Sequence, residues 1–125
     1  MKQEKIETIT INDVEYIRAD SVQKMEQATK IDGMEYCIIR CKNAGVHAGY
    51  VASFAGQQVE LFKSRRIWHW KGAQSLSELA VHGTADPSNC RFACEIEKAI
   101  LTDAAEILYC TESARKSIQD VKKWE

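Results

Sequence analysis

A chain of 125 residues carrying 17 basic against 18 acidic side chains, net charge −1, has no global electrostatic footprint for duplex nucleic acid. Its apolar fraction of 45% and charged fraction of 28% are those of a soluble globular protein, large enough for one core without disulfide or metal staples. The N-terminal stretch lacks the apolar region of a signal peptide and no apolar run reaches the length of a membrane span, so a single cytoplasmic domain over 1–125 without a membrane partner is expected.

In chain order, Ile6–Ile11 alternates and Val14–Arg18 returns after Asn12-Asp13, which predicts a hairpin. Asp20 and Ser21 can cap a short polar helix, roughly Val22 to Thr29. Met34–Cys41 is rich in strand formers but alternates imperfectly, as a strand buried on both faces would. Val46–Ala55 is a second strand, and its Gly49 marks either a bulge or a close approach of ligand or backbone. Gln58–Phe62 leads into a strand over Arg66–Trp70, in which Arg66, Trp68 and Trp70 share one face and Arg65, Ile67 and His69 the other. Ser75 and Glu78 have capping-box spacing ahead of Leu76, Leu79 and Ala80, and Gly83 suits the position after the helix. Thr84–Asn89 reads as a loop, Cys94–Leu101 and Ala104–Cys110 as strands. Thr111 caps a terminal helix with Ala114, Ile118 and Val121 as its apolar stripe. The sum is an α+β fold, an antiparallel sheet meander with two or three short helices.

The chemistry of the chain is that of a binder. Cys37-x3-Cys41 and Cys90-x3-Cys94 resemble paired zinc ligands, but in a strand their sulfurs lie too far apart for one tetrahedral ion. The odd count of five cysteines fits reduced thiols, and neither metal nor cofactor is expected. His47, His69 and His82 fall in no metal or catalytic spacing, and no phosphate loop or nucleophile elbow is present. What remains suits a nucleotide. Trp68 or Trp70 offers a plate for a base, and Arg65, Arg66 and Arg91 offer forks for phosphate. Asn89 and the Gly45–Gly49 backbone, with His47 within it, are expected to meet ribose or base edges. Sequestration without catalysis is the leading reading. The alternatives are a protein-binding inhibitor of a host defence complex, using the aromatic stretch as its hot spot, and a small nucleotide hydrolase with His47 or His69 as general base.

Four stretches, TITINDVEYIRADSV, GMEYCIIRCKNAGVHAGYV, SRRIWHWKGAQSLSELA and CEIEKAILTDAAEILYCTESARKSI, together cover nearly the whole chain. In their order and style they resemble short phage and prophage proteins, and the chain is similar to the first type of Thoeris anti-defence sponge. The resemblance implies a phage-encoded immune evasion factor acting in the host cytoplasm. It implies binding of cyclic ADP-ribose isomers without cleavage, and assembly into homo-oligomers. Some members also hold cyclic trinucleotides at separate sites between subunits. The residues named above are chosen on their chemistry and are not carried over from the family. A homo-oligomer follows also from size, since a domain of this length must fill its core with its own side chains, and a cleft between copies supplies the concave site a nucleotide needs.

Overall fold

In the computed structural model, residues 26–124 are described. The predicted N-terminal hairpin lies outside them, as does the first half of the predicted helix over Val22–Thr29. The described end of that segment is extended, not helical: Gln27 bridges Thr111, and Ala28 N donates to Cys110 O at 3.1 Å.

Five antiparallel strands form the sheet, in the order β4-β3-β2-β1-β5. They are β1 (Glu35–Cys41), β2 (Val46–Ala55), β3 (Gln58–His69), β4 (Arg91–Leu101) and β5 (Ala104–Tyr109). Two helices, α1 (Leu76–His82) and α2 (Glu112–Asp120), and a 3-10 turn at Pro87–Asn89 complete the described chain. The first three strands are a meander, with β4 beside β3 and β5 at the far edge beside β1. The predicted strands over Gln58–Phe62 and Arg66–Trp70 are one continuous β3.

Connectivity forces the sheet to coil. Leu101 ends β4 opposite Val59, and Ala104 begins β5 opposite Cys41, so only Thr102 and Asp103 link the two outer strands. Two residues span roughly 10 Å at most. The sheet therefore rolls until the hairpin tip and the first turn both reach that link. Ala104 N donates to Gln57 O at 3.0 Å, and Lys42 N donates to Asp103 O at 3.0 Å.

Bulges release the strain of coiling. The β2–β3 register shifts between Ala48 and Tyr50, opposite Lys63, whose φ is 53°. Gly49 sits at this shift, where an added Cβ would lie 3.0 Å from Phe62 O. That assigns Gly49 to a bulge rather than to a ligand's approach.

Alternation along β1 divides two cores. Tyr36 and Ile38 join Ala48, Tyr50, Ile67 and Phe92 under the helices, with Leu79, Ala114, Ile118 and Val121 packed onto them. Cys37, Ile39 and Cys41 turn inside the coil toward Val59, Leu61, Leu101 and Ala104. Both helix starts are capped as the sequence predicts. Ser75 Oγ accepts from Glu78 N at 3.1 Å, and Thr111 Oγ1 accepts from Ala114 N at 3.1 Å. Gly83 ends α1 with φ 74°, and a Cβ there would come within 2.4 Å of the Ser117 Cβ on α2. The two helices thus meet at a point only glycine fits.

Candidate functional site

Inside the coil and beyond the smaller core lies an open cavity of about 460 Å³. β3 contributes Ser64, Arg66 and Trp68, β2 contributes His47, and β4 contributes Cys94, Ile96 and Ile100. Arg66 and Trp68 point the same way because they are two residues apart on one strand. The Arg66 guanidinium carbon stands 5.2 Å from the centroid of the Trp68 ring, a cation–π pair that holds the fork beside the plate. Trp68 is 59% exposed, which a core indole would not be.

His47 forms the buried part of the wall, at 4% exposure. Its Nε2 lies 2.9 Å from Ala44 O. Burial pushes its pKa below the usual histidine value and the nearby Arg66 adds to this, against the opposing pull of the Ala44 bond and of Asp103. The ring is therefore neutral at pH 7. The turn that presents it is fixed from the other side of the coil. Asp103 Oδ2 accepts from Asn43 N at 2.5 Å and from Ala44 N at 3.1 Å, and these amides hold its carboxyl below the usual carboxylate range.

Of the eight residues chosen from sequence, the cavity brings together His47, Arg66 and Trp68. Gly45 lies in the adjoining turn with φ 88°, exposed, its carbonyl accepting from Cys41 N.

The other four lie elsewhere, each for a physical reason. Arg65 is buried on the helix side, 5% exposed. Its Nε donates to Ala93 O at 2.8 Å and its Nη1 to Ile118 O and Val121 O at 2.9 and 2.7 Å. All three donor contacts go to backbone carbonyls, so it closes the end of α2. Trp70 follows the last residue of β3 and packs against the larger core, so the expected shared face of Arg66, Trp68 and Trp70 stops at Trp68. Asn89 closes the 3-10 turn, its Nδ2 donating to both Asp86 carboxylate oxygens at 3.1 and 2.9 Å. Arg91 lies over the Trp124 ring at 5.1 Å, beside a separate cleft of about 490 Å³ whose lining includes Trp124, Lys122 and Lys123.

The β4 wall of Cys94, Ile96 and Ile100 escaped the sequence reading of the site. β3 and β4 are joined through α1 and the 3-10 turn, and nothing local in either strand announces their pairing.

The arrangement offers an apolar-lipped pocket, one indole, one fixed guanidinium and one neutral imidazole. Among the described residues no group of three side chains able to ligate a metal converges. No curated protein and no solved structure matches the chain. A family model matches residues 34–118, which take in all five strands and most of α2, and the chain belongs to the family described as Domain of unknown function (DUF6948).

Proposed function

We propose that the protein is a phage-encoded sponge that binds cyclic nucleotide immune signals of the cyclic ADP-ribose type and holds them without cleavage, so blocking a host defence. The observation that carries this reading is the meeting of Trp68, Arg66 and His47 around one cavity of about 460 Å³. An adenine stacks on the exposed indole, and the adjacent guanidinium takes a phosphate. The neutral His47 and the Ser64 hydroxyl serve ribose or base edges. Cyclic trinucleotides are further candidates as ligands.

The active form is a homo-oligomer. Arg66 is the one Lys or Arg lining the cavity among the described residues, whereas a cyclic ADP-ribose isomer carries two phosphates. A second copy supplies the missing donors and covers the open side. Among the described residues no helix is long and apolar enough to cross a membrane.

The test is to produce the protein in cells that make the signal, purify it, release small molecules by heat and weigh them by mass spectrometry. Intact cyclic nucleotide at a fixed ratio to protein is expected. Recovery of a linear hydrolysis product would favour the hydrolase, and recovery of no nucleotide the protein-binding inhibitor. Competition with a cellular sensor calls for nanomolar affinity, on the order of −12 kcal/mol.

A further inference from the structure

β4 is an outer strand, hydrogen-bonded only to β3 in the sheet. The C-terminal residues cover its beginning: Trp124 N donates to Phe92 O at 2.9 Å, and Lys123 bridges Phe92 in parallel. From Cys94 to Leu101 no described residue pairs with its outer edge. Proteins usually blunt such an edge with proline, free lysines, shortness or a covering segment. β4 is 11 residues long and contains no proline. Its one lysine, Lys98, is engaged with its own sheet, 2.7 Å from the Glu60 carboxylate and 5.7 Å from the Phe62 ring centroid.

The side chains on this edge are patterned. Ile96 is 48% and Ile100 53% exposed, and both border the same cavity. Glu95 and Glu97 are exposed and have no ion-pair partner among the described residues. The edge thus offers two aliphatic contacts four residues apart, a carboxylate on either side of the first of them, and an open row of backbone donors and acceptors.

We propose that the outer edge of β4 between Cys94 and Leu101 receives an extended segment of another protein, in which aliphatic residues alternate with Lys or Arg. The backbone ladder supplies attachment and the alternating side chains supply selectivity, as in strand addition generally. Aliphatic groups cover Ile96 and Ile100, and cations answer Glu95 and Glu97. A second copy of this chain is the poorer occupant. Two antiparallel copies of β4 related by a two-fold axis must be centred on a residue. Centring on 97 or 98, the two registers that overlap furthest between Cys94 and Leu101, sets Glu97 against Glu97 or Lys98 against Lys98. Like charges directly opposite destabilise a strand pair. This inference does not depend on what the cavity binds.

The probe is a library of random octapeptides displayed on phage and panned on the full chain. Enriched sequences should alternate aliphatic residues with Lys or Arg, and the synthesised peptide should slow amide exchange along Cys94–Leu101. The double variant Glu95→Lys, Glu97→Lys, altered only at exposed positions, should bind that peptide roughly ten-fold more weakly and select acidic sequences instead. Enriched peptides without alternation, or full binding by the double variant, would overturn the proposal. So would protection, in the protein alone, of the β4 amides that point away from β3. Sedimentation then assigns that protection to a second copy, if the chain self-associates, or to its own N-terminal residues, if it is monomeric.

Discussion

Arg65 and Arg66 are neighbours in sequence with opposite roles, because successive side chains of a strand face opposite sides. Arg65→Met removes the side-chain donor shared by the carbonyls of Ala93, Ile118 and Val121. Stability to urea should fall by about 3 kcal/mol, since buried polar groups lose their partners. Arg66→Gln, at an exposed position, should change it by less than about 0.5 kcal/mol. Period-two alternation made the division of β3 legible in the sequence. Which of its two faces the helices would cover was not, because both carried an arginine and an aromatic or aliphatic residue. The cysteines divide in the same way. Burial pushes the thiols of Cys37 and Cys110 up to about 12 and that of Cys41 to about 11, whereas Cys94 is exposed. Thiolate is the reactive form. Alkylation of the native protein at pH 8, read by peptide mass mapping, should therefore label Cys94 first, with the four buried cysteines, Cys90 among them, reacting only after denaturant is added.

At the scale of elements, α2 shows how a helix is tied down at its start. Thr111 caps it and also donates to Val81 O at 2.6 Å, linking it to the end of α1. Glu112 is engaged by Arg115 one turn on and by Thr29 N at 2.6 Å, which pins the segment leading into β1. These contacts, Arg115 foremost, lower the Glu112 pKa from 4.5 to about 2. A carboxyl depressed in the folded state binds fewer protons there than when unfolded. Its contribution is complete above pH 4.5 and is lost as pH falls toward 2. Glu112→Gln should therefore lower thermal stability at pH 7 and flatten the fall in Tm between pH 5 and 2 relative to wild type. Both helices were legible, because Ser75 with Glu78 and Thr111 with Glu112 are local cap signals ahead of an apolar stripe. β1, β2 and β3 were legible from turns and composition. The far placement of β5 was not, because a two-residue link reads as a hairpin unless the coil of the whole sheet is known. Arg91 shows the same limit. Its guanidinium lies over Trp124, thirty-three positions away, a contact that no local signal announces.

For the whole molecule, the open cavity and its single cation favour assembly of copies around the ligand. Light scattering during size exclusion should give a mass above the 14.2 kDa of one chain. Trp124 remains 53% exposed although it lies against Arg91, and deletion of residues 124 and 125 should reduce that mass if its indole lies in the contact. A wild type that is monomeric and still binds nucleotide tightly would contradict the assembly. The claim that stands above these is that Trp68 and Arg66 hold a cyclic nucleotide. Its most direct test is calorimetric titration of the full chain with a cyclic ADP-ribose isomer, with variants in the cavity and at Arg91 beside the separate cleft. Nanomolar binding by the wild type is predicted, unchanged in Arg91→Gln and weakened roughly ten- to hundred-fold by Trp68→Ala or Arg66→Gln, the worth of one stacked base or one charge-assisted pair. A wild type that binds no nucleotide, or one whose affinity survives Trp68→Ala and fails in Arg91→Gln, would contradict it.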